Sequence, residues 1–461
     1  MLKRYIGDRK FYARALAIAL PIIVQNAITN FVALLDNIMV GQLSTAQISG
    51  VTIANNNLLF IFTICVFGGA AGAGIFTTQF RGSGNNDGIR YTFRFKLLMC
   101  TALAIIAIGV FLTASDPLIS LYLQGDGDPA LAADTLRYGR EYLHMMLWGL
   151  VPFAITNAYA STLRECSQPS VPMLAGIIAT GVNLVLNYLL IFGHLGLPAM
   201  GVRGAALATV VSRYVEAAIV VTWTHTHTEK NPFVKGLYRS MHIPKKLLGS
   251  IIVKGSPLLF NEFFWTVGMV FVNQCYSTCG LDVVPAMSIS TTIYNLAAVV
   301  FRSLGNTVGI LMGQMLGARC AKEELMDTNR KLTALGAFSG VVFGAITAAL
   351  AGLFPQLYNT SDEIRLLASR LILISAVLMP VQAYSFPVYF TLRAGGKTLM
   401  TFLFDCGSIW FLYLPAAFCL SRWTNLSILV IFAVCNCMDL VKAIVGTILI
   451  KRGTWIQNLA Q

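Results

Sequence analysis

Charge is what this chain has least of. Asp, Glu, Lys and Arg make up 11% of its 461 residues, whereas 56% are hydrophobic. A soluble domain of that length could not bury so much apolar surface, so the composition excludes one. The ten cysteines form no CxxC pairs and do not cluster in outer loops. That argues against a disulfide framework and suits small buried hydrophobes. No H-E-x-x-H, acidic metal-binding repeat or nucleophile elbow is present, so an integral membrane enzyme has no catalytic constellation to use, and no cofactor is expected. No cleavable signal peptide is apparent either: the first apolar run is long enough to span and lacks a small-residue cleavage site.

What the chain does have is twelve apolar stretches of about 20 residues, the length that crosses a bilayer as a helix. They lie near 12–38, 48–77, 91–114, 137–160, 170–193, 204–223, 247–273, 285–312, 331–353, 365–391, 398–420 and 426–450. The fold class is therefore all-α, a polytopic protein of the cell membrane. Its net charge of +13 reads as topology rather than nucleic-acid binding, because basic residues concentrate in alternate loops. One set holds Lys3, Arg4, Arg9 and Lys10; the next holds Arg81, Arg90, Arg94 and Lys96; later ones hold Lys230, Lys235, Arg239, Lys245 and Lys246, then Arg319, Lys322, Arg330 and Lys331, then Lys451 and Arg452. Intervening loops carry Asp116, Asp126 and Asp128, then Asp282, then Asp362 and Glu363. Both termini are then cytoplasmic, which requires an even number of spans.

The chain also repeats itself. Gly74-Ile75 with Gln79 and Gly82 returns as Gly309-Ile310 with Gln314 and Gly317, an offset of 235; Thr162-Leu163-Arg164 returns as Thr391-Leu392-Arg393 at 229, and Pro21 as Pro257 at 236. Six spans per half give both halves the same orientation, so they are parallel repeats about an axis along the membrane normal, and the substrate site is expected between them. The predicted organisation is an N-terminal six-helix bundle over 1–224, a cytoplasmic linker over 225–246 and a C-terminal bundle over 247–461. His225 and His227 in the polar connection suit solvated surface better than a metal site.

An ionisable group near the bilayer centre costs at least about 2.5 kcal/mol, so each one kept there is a functional candidate. Two carboxylates stand out. Asp36 lies late in the first span and shares a helix face with Gln25 and Thr29; an interfacial or capping role is the alternative. Glu262 lies about fifteen residues into span seven, past mid-membrane at about 1.5 Å per residue, followed on its face by Trp265, Thr266, Met269 and Asn273. Arg213 with Glu216, and Asp439 with Lys442, are spaced to neutralise one another at i, i+3. Asp405 could anchor a loop through Lys397 or Arg393, and Arg302 has no evident partner. Span five carries Thr180, Asn183 and Asn187 as a polar stripe that holds helices together or lines a cavity; Asn26, Gln382 and Tyr384 have the same two readings. The glycine-rich run from Gly68 to Gly74 lacks the Lys-Ser/Thr of a phosphate loop and reads as close helix packing.

These residues carry a resemblance. Leu20-Pro21 leading to Asp36 and Val40-Gly41, Gln79-Phe80-Arg81-Gly82, Leu163-Arg164 with Pro169 and Pro172, Asn183 through Asn187-Tyr188 to Phe192-Gly193, Gly201-Val202 with Gly204-Ala205-Ala206, and the run from Leu392 to Thr398 together resemble the multidrug and toxic compound extrusion (MATE) family over essentially the whole chain. The resemblance implies two six-helix bundles around a central cleft and export of organic cations driven by inward H+ or Na+. It assigns ion coupling to Asp36 and Glu262. Two departures accompany it: Asn187 stands where archaeal and DinF-like members have an Asp, and Gln382 where NorM-like members have a tenth-helix Asp.

A carboxylate drives antiport either by exchanging a proton or by staying ionised and binding a metal cation. Asp36 with the Asn183 and Asn187 amide oxygens would supply part of a Na+ site; two isolated acids favour protons. The expected substrate-binding set is Gln25, Asn26, Thr29, Trp265, Met269, Gln382 and Tyr384, with cation–π contact at Trp265 worth about 2 kcal/mol when desolvated. The expected partners are small organic cations and the lipid bilayer, with no nucleic acid, and the protein is expected to be a monomer. The alternative is a flippase for lipid-linked saccharide precursors, which would need several cationic groups in its cavity, where only Arg302 and Arg213 are available.

Overall fold

The computed structural model describes residues 5–123, 129–280 and 282–460; Lys3, Arg4, Asp126 and Asp128, used above to orient the chain, lie outside them. Apolar side chains that must be buried or meet lipid, on a backbone that must satisfy its own hydrogen bonds there, leave the helix as the available element. Among the described residues there is no strand. The long helices are α1 Arg9–Val40, α2 Thr45–Gly82, α3 Asn86–Ser120, α4 Pro129–Leu147, α5 Leu150–Glu165, α6 Ser170–Phe192, α7 Val202–Thr226, α8 Lys245–Ser277, α9 Val283–Gly317, α10 Lys322–Leu350, α11 Asp362–Ala394, α12 Thr398–Trp423 and α13 Ile428–Arg452.

Eleven of these are long and apolar enough to cross a membrane. The twelfth expected span, near 137–160, is α4 and α5 with a break at Trp148 and Gly149. Pro152 explains the break, because its ring excludes the helical position of the carbonyl four residues earlier, which is that of Trp148. Two other irregularities are π-helical turns, Ile53–Leu59 within α2 and Ile409–Tyr413 within α12. Such turns widen a helix locally and re-aim its side chains.

The chain divides into two compact units. One comprises Val24–Thr77 and Asn86–Ile251; the other comprises Met1–Ile23, Thr78–Asn85 and Ile252–Gln461. The divisions at Ile23, Thr77 and Ile251 fall inside α1, α2 and α8.

In the first unit α6 packs along α7, and α4 and α5 lie against α7. Leu58, Val66, Cys100, Leu143 and Ala206 are core residues, each under 5% or fully shielded. Two of the basic residues expected to be loop charges here, Lys96 and Arg94, are buried and have structural work instead. Lys96 is fully buried in α3, pairs with Glu165 and donates to Thr162 Oγ1 at 3.3 Å. Arg94 is also buried and donates to three carbonyls of the 225–246 segment, those of Gly236 and Leu237 at 2.9 Å and His242 at 3.1 Å. That segment is consequently pinned, with Phe233, Val234 and Leu237 in the core. His225 Nε2 meets the Tyr159 hydroxyl at 2.9 Å, and His227 stacks on Trp223. Among the described residues no group of three His, Cys, Asp or Glu could hold a metal.

In the second unit α11 is central, packed against α9, α10 and α13. Here the duplicated motif meets itself: a Cβ on Gly82 would strike the backbone of Gln314, and one on Gly317 would strike the backbone of Gln79. Glycine at both positions permits that reciprocal approach. The repeated threonines also do parallel work, since Thr391 donates to Asn329 Oδ1 of α10 at 2.6 Å, as Thr162 accepts from Lys96 of α3.

Gln79 further clamps the C-terminal tail. Its Nε2 donates to the Ala394 carbonyl at 2.9 Å and the Gln457 carbonyl at 3.1 Å, while its Oε1 accepts from the Leu459 amide. Trp455 is fully buried beneath this tail. Trp455→Ala is therefore expected to destabilise the protein by about 3–5 kcal/mol, the cost of emptying a buried aromatic site. Asn458→Ala, which removes hydrogen bonds to the Leu316 carbonyl and from the Ala460 amide, should cost about 1–2 kcal/mol. Thermal unfolding in detergent, followed by intrinsic fluorescence, would show whether the two differ in that order.

Candidate functional site

The first unit gathers a polar cluster from three apolar helices. Asp36, four residues before the end of α1, lies beside Asn183 and Asn187, one turn apart on α6, and Thr209 of α7. Asn187 Nδ2 donates to Asp36 Oδ1 at 2.7 Å and to Asn183 Oδ1 at 3.2 Å; Asn183 Nδ2 donates to Thr209 Oγ1 at 3.3 Å. The Asn183 amide has a second orientation that fits its surroundings. Turned by half a rotation, its Nδ2 stands 3.1 Å from both Asp36 oxygens and its Oδ1 accepts from Thr209 Oγ1 at 3.3 Å. In that orientation the N–H groups of both asparagines face the carboxylate, as an anion requires. Asn187 Oδ1 is buried with no hydrogen-bond donor among the described residues.

The three coupling residues predicted in this half are therefore brought together, and Thr209 joins them. Its signal in the sequence was small: one hydroxyl on α7, whose back-bond to the Ala205 carbonyl at 3.0 Å would satisfy it anywhere. Gln25 donates to the Pro172 carbonyl at 3.2 Å and sits 3.5 Å from Arg164 Nη1, fastening the start of α6. Asn26 is half-buried and Thr29 exposed. Arg213 does not form the expected ion pair with Glu216. It reaches the Gly149 carbonyl at 3.4 Å, lies 4.9 Å over the Phe153 ring, and lines a cavity of about 320 Å³ with Asn55, Asn56 and Thr63. The π-helical turn of α2 presents those two asparagines.

The second unit holds Glu262, seventeen residues after the start of α8 and fifteen before its end. Its side chain is exposed, and among the described residues no hydrogen bond or ion pair reaches its carboxylate. The charges acting on it come from Arg393, Asp405 and Arg302, so tertiary structure supplies the basic neighbours that local sequence did not. Trp265 and Met269 follow it, half-buried. They are not among the residues lining the nearby aromatic cavity of about 300 Å³, which is formed by Phe264, Phe402, Trp410 and Phe411.

Next to Glu262 in sequence, Asn261 is buried and donates to Asp405 Oδ2 at 3.0 Å and the Tyr389 hydroxyl at 3.3 Å. Asp405 is bound by Lys442 at 2.6 Å, not by Lys397, Arg393 or Arg302. That removes Lys442 from the predicted pair with Asp439. Asp439 instead accepts from Gln382 Nε2 at 2.9 Å and from the Tyr413 hydroxyl. Tyr384 is bonded to Thr447 at 2.6 Å, so Gln382 and Tyr384 both fasten α11 to α13. Asp405→Asn would leave the Lys442 ammonium inside without its anion, and the expected loss is about 3–5 kcal/mol of stability. A double change with Lys442→Met should recover most of it, as measured by thermal unfolding.

A family profile, MatE, matches residues 21–189 and again 257–418, so the duplication is a repeated domain whose two matches begin at Pro21 and Pro257. A probable multidrug resistance protein NorM of Thermotoga maritima is 26% identical over 425 residues, covering 89% of this chain and 86% of its own. The multidrug resistance protein MdtK of Yersinia pestis is 24% identical, covering 91% and 89%. Among solved structures, the outward-facing form of a multidrug resistance MATE family transporter of the MOP superfamily superposes with a TM-score of 0.85 at 18% identity over 95% of each chain. A MOP superfamily transporter of Pyrococcus furiosus, whose reversed binding-pocket polarity suggests a different function, gives 0.84 at 17% over 98% and 97%. The fold is shared with these structures, and with both halves matched by its profile the chain belongs to the MatE family, a multi-pass membrane protein built from a duplicated domain.

Proposed function

We propose that this protein is a secondary active antiporter that exports lipophilic organic cations in exchange for H+ or Na+ by alternating access. In this reading residues 1–224 and 247–461 act as the two six-helix bundles, 225–246 join them on the cytoplasmic side, both termini are cytoplasmic, and the working unit is a monomer. Relatives carrying the name multidrug resistance protein support the substrate class. The observation that carries the mechanism is Glu262: a carboxylate at the midpoint of a spanning helix, held by no hydrogen-bond or ion-pair partner among the described residues, is costly unless ions or substrate use it.

Both sites offer competition between ion and substrate. An ionised Glu262 attracts a cationic drug, and a proton or Na+ taken up from outside removes that attraction, so exchange needs no further machinery. In the other half, the amide N–H groups of Asn187 and Asn183 hold Asp36 as an anion, and a proton or cation taken up there competes with them. For Na+ the available oxygens are those of Asp36, Asn183 and Thr209, while Asn187 turns an N–H toward the carboxylate. A single carboxylate faced by an N–H favours the proton over the metal ion.

Proteoliposomes loaded with a fluorescent lipophilic cation, with a pH gradient or a Na+ gradient imposed separately, test this. Efflux driven by one gradient and lost in Asp36→Asn or Glu262→Gln is the expected result; folded protein that responds to neither gradient overturns it. The second reading, a flippase for lipid-linked saccharides, is favoured by one observation, the polar cavity where Arg213 stands with Asn55 and Asn56. It predicts instead that anionic lipid headgroups are moved and that Arg213→Ala stops the movement.

A further inference from the structure

Asp439 is a buried carboxylate that the preceding function leaves unused. It lies eleven residues after the start of α13 and thirteen before its end, about 17 and about 20 Å along a helix, and is 8% exposed. The i, i+3 spacing that suggested neutralisation by Lys442 is not used, because that ammonium is bonded to Asp405. Among the described residues no ion pair reaches Asp439. An ionised carboxylate has about four acceptor positions; here two are filled, by Gln382 Nε2 and the Tyr413 hydroxyl.

The arrangement repeats that of the other unit in its chemistry. In each, a side-chain amide donates its N–H to a carboxylate deep in apolar helices, Asn187 to Asp36 at 2.7 Å and Gln382 to Asp439 at 2.9 Å. In each, the oxygen of that same amide, Asn187 Oδ1 and Gln382 Oε1, is buried with no hydrogen-bond donor among the described residues. A buried carbonyl oxygen left without a donor is unfavourable. Protonation of the carboxyl gives that oxygen a donor: after half a rotation of the amide, the Asp439 O–H donates to Gln382 Oε1, while the amide N–H group turns to the place the oxygen held. Nothing in an inert hydrogen-bond hub calls for that orphaned oxygen.

We propose that Asp439 takes up and releases a proton in the transport cycle, with Gln382 and Tyr413 as the residues that position it. This rests on the antiporter reading and deepens it. The proton enters from water on one side as the carboxylate becomes a carboxylic acid and leaves to water on the other; Gln382 turns its amide and Tyr413 supplies the O–H that holds the anionic state. The π-helical turn Ile409–Tyr413 of α12 carries the tyrosine that meets α13. Other groups facing this site are Asn436, whose Oδ1 lies 3.4 Å from Gln382 Nε2, Lys442 on the same helix and already paired with Asp405, Tyr294 of α9, and Tyr276 of α8 through Tyr413; Arg302 acts on Tyr294.

The test uses the full-length protein in lipid nanodiscs. Infrared pH titration should show a protonated-carboxyl band that is missing in Asp439→Asn, present in Asp36→Asn and Glu262→Gln, and unaffected by Na+ at constant pH. In Tyr413→Phe the ionised form loses a donor, so the pH dependence of the band should change. In proteoliposomes, proton-driven efflux should fall at least about tenfold in Asp439→Asn, a barrier change of about 1.4 kcal/mol, and persist in Asp439→Glu. A spectrum in which Asp439→Asn removes no band overturns the proposal, as does a band displaced by Na+, which would make this a metal-ion site. Should Asp439→Asn fail to fold, Asp439→Glu and Tyr413→Phe decide it, since a pH dependence unchanged in both excludes titration here. If wild type transports and Glu262→Gln blocks it while Asp439→Asn transports normally, this inference alone fails. If wild type responds to no gradient, the antiporter reading fails, and the infrared band still reports on Asp439.

Discussion

Glu262→Gln is expected to reduce gradient-driven efflux of a lipophilic cation at least about tenfold, equivalent to about 1.4 kcal/mol on the limiting barrier, while the protein stays folded. The reasoning is one of cost. The carboxylate sits at the midpoint of α8 with neither hydrogen bond nor ion pair among the described residues, so removing its charge breaks no structural contact. A Glu→Gln change keeps shape and relieves the cost of holding an anion there, and the variant should be as stable as wild type or more so. Function should suffer in two separable ways. Equilibrium binding of the cation should weaken, because the charge that complements it is gone, and the driving gradient should cease to matter, because an amide exchanges no ion. Binding measured in detergent and efflux measured in liposomes separate the two. A variant that binds less well yet still accelerates when a gradient is imposed would move the coupling role away from Glu262.

The sequence made the membrane, the duplication and the family legible because each is written in local signals. Apolar runs of spanning length recur, and proline and glycine positions return at nearly constant offset. It also placed Asp36, Asn183 and Asn187 together, since α6 periodicity sets two amides one turn apart and the family pattern adds the acid. What it could not give was partner choice across helices. Lys442 was assigned to Asp439 because both lie on one helix face, yet its long side chain reaches Asp405 of α12. A flexible four-carbon stem makes proximity along the chain a poor guide to pairing. Lys96 and Arg94 were counted as loop charges and are buried, one on Glu165 and one on backbone carbonyls. Thr209 went unnoticed because a helical threonine is ordinarily satisfied by its own backbone.

The last consequence concerns Asn187, which stands where a second carboxylate would make a stronger cation site. Asn187→Asp would set two acids within hydrogen-bond reach of each other, since Asn187 Nδ2 and Asp36 Oδ1 are 2.7 Å apart. Two such groups cannot both be ionised in a low-dielectric setting unless a cation joins them. The expected result is a variant whose thermal stability rises with Na+ but not with a bulky organic cation, reaching about 2.7 kcal/mol at a hundredfold excess over its dissociation constant. Its efflux should also become dependent on the Na+ gradient. Wild type, with one carboxylate faced by an N–H, should show neither response at the same ionic strength. If wild type is already stabilised selectively by Na+, Asp36 with Asn183 and Thr209 suffices to hold the ion, and the preference for protons in this half is wrong. If the variant gains no Na+ response, the oxygens around Asp36 do not converge closely enough for a metal ion, and proton exchange remains the chemistry this cluster can perform.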